Sequence, residues 1–452
     1  MASSKTLLVA LAVIVVVAAA AAILAGRGGG PAASTSPTAA APATTAQPTV
    51  ATSQAPETTT AAAATSPAAA TATAKKKPKV LVLFDVGGRG DLSFNDMAWL
   101  GAERAAKELG VEVHFQTPRS VQDMVPLLER VSKSGEYDLI VLVGFLWTKP
   151  LDEVADKYPN QKYALIDSTT GHKRPNEVDI LFREQEAAAL IGVLASDMAY
   201  NLMKETGEQG PIKIGAVAGM DIPPLWKFHI GYLYGAKLYE KLTGRKVEFH
   251  WTYIGSFTDR QKGYQAAMQM LRQGVKVLYG LAGLAHLGMF DAVIEWNEKG
   301  LGKAFAIGQD ASQEWYAPKY IPLSGAKRVD VAVYTAIKMA VTGDWKPGIK
   351  VLGLKEGGVG IWDLDGVRWF AEQAYKQGRL KGLTPDQVVE IVKQLREKYI
   401  SKQAWDIVRQ LEEKIKSGEI RFITPTSHDQ YQKIISELEK GNLDAALEKQ
   451  GQ

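Results

Sequence analysis

The chain has 452 residues, 46% of them apolar, and a net charge of +4 from 53 basic and 49 acidic side chains. That length exceeds one ordinary domain, and the basic residues are interleaved with acidic ones without a basic stripe, which gives no reason to expect a nucleic-acid partner. Cysteine is absent, which excludes disulfides, thiolate metal sites, a cysteine nucleophile and an anchor built on a lipid-modified cysteine.

Residues 7–26 carry no charge and are flanked by Lys5 and Arg27. A cleavable signal has an apolar core of about 7–15 residues and a bilayer span needs about 20. The segment 1–27 therefore reads as an N-terminal membrane anchor in preference to a removed signal. Residues 28–77 are rich in Ala, Thr, Pro and Ser, with Glu57 the only charge before Lys75. Such a composition buries too little apolar surface to order itself, so a disordered stalk is expected, similar to stalks that are O-glycosylated outside the cell. Both segments place the globular part at the cell surface, extracytoplasmic and tethered to the plasma membrane.

From Lys79 the pattern becomes apolar runs alternating with amphipathic stretches. Strands are expected at 79–84, 111–116, 139–143, 162–166, 178–182, 212–218, 247–254, 275–279 and 304–308. Helices are expected between them at 94–109, 121–134, 184–203, 227–243, 259–273 and 286–299. This alternation predicts an α/β fold with mostly parallel sheets covered on both faces, and two such sheets in series predict two lobes. Further amphipathic helices over 367–416 are expected to pack on the second lobe. A C-terminal helical tail (425–452) with a short helix at 431–439 follows.

Seven of the nine expected strands end in glycine or carboxylate: Asp85, Gly144, Asp167, Gly219, then 255–257, 280–283 and Asp310. In open α/β sheets ligands sit at strand C-termini, so these residues define a cleft. The first strand runs through a Gly-rich turn (Gly87, Gly88, Gly90) into a helix, and brings Asp85, Ser93, Phe94 and Asn95 to that edge. A carboxylate, a hydroxyl, an aromatic face and an amide suit a small polar ligand with a flat ring.

Enzymatic readings find little support. No G-x-G-x-x-G exists, because Ser93 stands at the third glycine position, and no Walker A string occurs, so a nucleotide cofactor is not expected. Asp85 and Asp310 could pair as carboxylates on a glycosidic bond, but there is no G-x-S-x-G, no H-E-x-x-H and no dense aspartate cluster of the kind nucleoside hydrolases use for calcium. No catalytic residue, cofactor or metal is expected.

The string D-V-G-G-R-G-D-L-S-F-N-D (85–96) resembles the opening signature of the basic membrane protein family, substrate-binding lipoproteins of ABC transporters. F-R-E-Q-E-A-A-A-L-I-G (182–192), G-M-D-I-P-P-L-W-K-F-H-I-G-Y-L-Y-G-A (219–236), Y-I-G-S-F-T-D (253–259), the A-G of 282–283, I-G-Q-D (307–310), K-R-V-D (327–330), G-L-K-E-G-G-V-G (353–360) and I-K-S-G-E-I (415–420) follow in the family's order. The resemblance implies a type I periplasmic-binding-protein fold, with lobe 1 from 78–182 and 313–345 and lobe 2 from 183–312 and 346–424. It implies a purine nucleoside as ligand and an ABC permease as partner. Phe94 and Phe257 would sandwich the base, and Asp85 and Asn95 would read its polar edge beside Ser93 and Gly144. Asp310 would accept from ribose hydroxyls, with Lys327 and the backbone at Gly283 beside it. Riboflavin or a sugar in the same fold, or a sensory role, are the alternatives. Phe145 and Trp147 depart from the family pattern, with Trp147 expected either to narrow the cleft or to pack beneath it. Trp226 is a further aromatic on the hinge side.

Overall fold

A computed structural model describes residues 76–449; the expected anchor and nearly all of the expected stalk lie outside them. Among the described residues no helix is long and apolar enough to cross a membrane.

The strands are β1 (Lys79–Leu83), β2 (Glu112–Gln116), β3 (Leu139–Val143), β4 (Tyr163–Ile166), β5 (Glu177–Phe182), β6 (Ile212–Ala218), β7 (Val247–Tyr253), β8 (Val277–Leu281), β9 (Phe305–Asp310), β10 (Leu323–Lys327), β11 (Gly348–Leu352) and β12 (Val359–Ile361). The helices are α1 (Phe94–Leu109), α2 (Met124–Ser134), α3 (Thr148–Val154), α4 (Glu184–Thr206), α5 (Pro223–Thr243), α6 (Arg260–Arg272), α7 (His286–Glu298), α8 (Val329–Thr342), α9 (Leu364–Lys376), α10 (Pro385–Tyr399), α11 (Lys402–Ser417) and α12 (His428–Glu439).

Two six-stranded sheets result, in the orders β2-β1-β3-β4-β5-β11 and β7-β6-β8-β9-β10-β12. Every pairing is parallel except that of β12 with β10. Strands buried on both faces read as unbroken apolar runs, and all five residues of β3, Leu-Ile-Val-Leu-Val, are fully buried. In both sheets the strand order reverses beside the first strand, between β1 and β3 and between β6 and β8. Those two switch points are where a doubly wound sheet opens a crevice.

The chain passes between the lobes at 182–184, 327–329 and 352–358. The lobe boundaries expected from the sequence shift accordingly. Residues 323–327, expected in lobe 1, form β10, which pairs with β9 in the second sheet; β11, expected in lobe 2, pairs with β5 in the first. Only α8 of the 313–345 stretch packs on the first lobe, against α1. Neither Leu-Ser-Gly-Ala-Lys nor Gly-Ile-Lys-Val-Leu carries the long apolar run that marks the inner strands, so sheet membership is decided by pairing alone.

The 367–416 helices pack on the second lobe, with α10 and α11 on α4 and α9 on α10. The tail is seated as well: α12 packs on α5, and the buried Tyr431 ring stacks on Trp226 with centroids 5.3 Å apart. His229 of α5 reaches the Tyr431 hydroxyl at 2.7 Å.

Candidate ligand-binding cleft

The site begins where β1 ends. Three backbone N–H groups at the start of α1 need acceptors, and the buried Asp91 carboxylate takes all of them, from Ser93 (2.9 Å), Asn95 (2.8 Å) and Asp96 (3.1 Å). Burial raises Asp91 to about 8. The tripeptide Arg89, Gly90, Asp91 is thus no exposed adhesion motif, since its aspartate is 2% exposed. Relieved of capping, Ser93 turns its hydroxyl to the other lobe, 2.5 Å from Asp310 Oδ2 and 3.1 Å from the Gln309 carbonyl.

Asn95 is oriented by two carboxylates. Its Nδ2 donates to Asp85 Oδ1 (3.0 Å) and to Asp91 Oδ2 (3.2 Å). Both amide protons are then in use, and its buried Oδ1 is left without a partner. Burial raises the Asp85 carboxyl above its usual range, opposed by the bonds from Asn95, Gly87 and Gly88. Gly144 ends β3 at φ 105, a conformation that favours glycine, with Phe94 and Asp85 alongside.

From the second lobe, Phe257 follows β7 and packs closely against Gly219 at the end of β6, where any Cβ would collide with the ring. Gly283 follows β8. Asp310 ends β9 at φ 71, and Asp167 ends β4 at the same angle. Non-glycine residues held in this region are uncommon and cluster at functional sites. Burial raises Asp310, against the pull of Lys327, Ser93 and Gln309.

Lys327 does more than sit beside Asp310. Its Nζ lies 2.6 Å from Asp167 Oδ2 and 2.8 Å from Glu184 Oε1, and 5.2 Å from the Phe94 ring centre. Glu184 Oε2 in turn lies 2.5 Å from Lys227 Nζ, which donates to the Phe182 carbonyl at 2.8 Å. Burial opposes the charge on Glu184, but Lys227 and Lys327 overcome it and hold the carboxyl near 2. Burial lifts Asp167 to about 7 although Lys327 opposes it, and Lys327 itself is raised, its carboxylate neighbours outweighing burial. This charge cluster lies at two of the lobe crossings.

Every residue expected at the site, Asp85, Ser93, Phe94, Asn95, Gly144, Phe257, Gly283, Asp310 and Lys327, lines one cavity of about 710 Å³, part of which is open to solvent. Asp91, Phe145, Asp167, Phe228, His286 and Gln309 also line it. Asp167 carried a signal in its strand-end position and Phe228 lies within the family motif at 219–236, whereas His286, inside a helix, carried none. Trp147 is fully buried and packs beneath the cleft, donating from Nε1 to the Phe84 carbonyl at 3.1 Å. Trp226 belongs to the tail interface. Among the described residues no group of His, Cys, Asp and Glu could hold a metal ion.

Two doubly wound lobes face each other across a ring-and-carboxylate cleft, the architecture of a two-lobed binding protein. Residues 78–382 match the PnrA-like family of ABC transporter substrate-binding proteins, and the chain belongs to that family. An uncharacterised lipoprotein of Pyrococcus furiosus is 72% identical over 374 residues, 83% of this chain and 92% of the relative. Basic membrane protein A of Borreliella burgdorferi is 30% identical over 63% of this chain and 79% of its own. The crystal structure of an ABC transporter system solute-binding protein from Aeropyrum pernix superimposes with a TM-score of 0.80 at 60% identity, covering 82% of this chain and all of that one.

Proposed function

We propose that this protein captures a purine nucleoside between its lobes, outside the cytoplasm, and delivers it to an ABC permease. The observation that carries this reading is the pair Phe94 and Phe257, one from each lobe, lining a single cleft with carboxylates at its polar edges. Stacking contributes about 0.5–1.5 kcal/mol per ring pair beyond area burial. Asp85 and Asn95 read the edge of the base. Asp310 accepts from the ribose hydroxyls, bonds roughly twice as strong as neutral ones, with Lys327 and the backbone at Gly283 beside it. A ligand touched by both lobes favours the form in which they are together, and that form docks on the permease. The proposed tether is the segment 1–27, in which residues 7–26 run without a charge, about the length a bilayer span needs.

Thermal unfolding with guanosine, inosine, adenosine, riboflavin and ribose tests the ligand. A ligand at 100 times its Kd stabilises by about 2.7 kcal/mol. The expected result is a rise with nucleosides, none with ribose, and loss of the rise in Phe257→Ala. A rise with riboflavin or a sugar alone would overturn the nucleoside reading and leave the family role intact.

A further inference from the structure

Gln313, in the connection from β9 to β10, has an amide whose orientation is fixed by the backbone. Its Oε1 accepts from the Gln309 N–H at 2.9 Å, and its Nε2 donates to the Leu92 carbonyl at 3.0 Å. The remaining Nε2 proton points at His286 Nε2, 2.8 Å away. Turning the amide over would set N–H against N–H and C=O against C=O, so His286 Nε2 must be the acceptor and the ring proton must be on Nδ1. The ring is fully buried and stays neutral, burial holding its pKa near 3. Its Nδ1 has no partner in the protein.

A buried N–H without an acceptor is rare in folded proteins and needs an explanation. Here the explanation is at hand, since His286 lines the same cavity as Phe94, Phe257 and Asp310. The ring is also immobilised: it packs on Phe290, with centroids 5.1 Å apart, and its Cβ lies close against Gly280. We propose that His286 is a recognition residue of the cleft, its Nδ1–H being a fixed donor for an acceptor atom of the bound ligand. The inference rests on the nucleoside reading, in which that acceptor is N3 or N7 of the base or the 2′ or 3′ oxygen of the sugar. Titration plays no part in it, because the ring keeps one tautomer over the neutral range.

Calorimetry of the full chain with guanosine, its 3-deaza and 7-deaza analogues and its 2′-deoxy and 3′-deoxy analogues provides the test, on the native protein and on His286→Gln and His286→Asn. The Gln side chain keeps an acceptor for Gln313 but loses the donor at the Nδ1 position, whereas Asn carries an N–H close to that position. The deoxy analogues lose affinity through Asp310 in any case; the analogue that lacks the acceptor of His286 is expected to bind native protein at least about tenfold more weakly than guanosine, ~1.4 kcal/mol, and is the one that loses nothing further on His286→Gln. Guanosine is expected to lose about tenfold on His286→Gln and to recover most of it on His286→Asn. The identity of that analogue tells base from sugar.

The proposal is overturned if both variants bind guanosine as native protein does, which leaves a buried water as the partner of Nδ1, or if every analogue loses additively on every variant. The analogue series on native protein stands even if a variant folds poorly: uniform binding of all analogues also overturns it. Binding of guanosine that is indifferent to His286 removes this inference alone. Absence of nucleoside binding to native protein removes the nucleoside reading and this inference with it.

Discussion

Asn95 shows how much a single side chain's orientation decides. Because Asp85 and Asp91 consume both amide protons, the atom left for a ligand is an acceptor, and Asp85 when ionised is another. Bases with a ring N–H, such as guanine and hypoxanthine, suit that pair, whereas adenine presents a bare nitrogen there. Adenosine is therefore expected to bind about tenfold more weakly than inosine at pH 8. As pH falls through the raised pKa of Asp85, its carboxyl gains a proton and becomes a donor for the adenine nitrogen, so the gap should narrow in acid. Calorimetry with both nucleosides at pH 8 and at successively lower pH decides it, and a gap that stays constant down to the ordinary carboxylate range refutes the assignment. The residues at this edge were legible because Asp85, Ser93, Phe94 and Asn95 fall within one strand, turn and helix start. His286 and Glu184 were not, since their roles depend on Gln313, Lys227 and Lys327, far away in the chain.

At the scale of elements, α10 acts on the site from behind. Its Arg396, 8% exposed, lies 2.9 Å from Glu314 Oε1 and donates to the Pro322 carbonyl at 2.8 Å. The other oxygen of Glu314 accepts from Ser312 (2.6 Å) and Ser324 (2.8 Å), so α10 clamps the loop joining Asp310 to Lys327. Arg396→Met leaves the Glu314 carboxylate buried and unpaired, which costs about 3–5 kcal/mol. Adding Glu314→Gln to Arg396→Met should recover most of that, because the stranded charge is gone. Urea unfolding of the two singles and the double measures the coupling, and strictly additive losses would contradict a clamp. The helices over 364–417 were visible as amphipathic repeats, but their purpose was not, because the pairing partner of Arg396 lies in a loop with no pattern of its own. The strands β10 and β11 escaped notice for a related reason, being strands only by virtue of the sheet edges that hold them.

For the whole molecule, the alternation of strands and helices announced two parallel sheets, and the reversal of strand order beside β1 and β6 explains why the site lies between them. What the pattern could not give was the path of the chain between lobes, which is set by long-range pairing. The charge cluster of Lys327, Asp167, Glu184 and Lys227 lies on that path, so the proposed ligand site and the lobe crossings share one lysine. How the molecule is held at the membrane is a question at this scale also. Replacing 1–27 with a cleavable export signal is expected to move the protein from the membrane fraction to the soluble extracytoplasmic fraction, and persistence in the membrane would place the tether elsewhere.

The threaded path has a consequence for biogenesis. The edge strand β11 and the helix α8 that complete the first lobe are encoded after nearly the whole of the second sheet. While the chain emerges from a ribosome or a translocation pore, the N-terminal half has neither its last strand nor the helix that covers α1. The first lobe must wait, its sheet edge open, until residue 352 has arrived. The second lobe waits as well, for β12. Maturation is thus a late and concerted event, and a chain truncated between the lobes would yield two unfinished parts instead of one finished lobe.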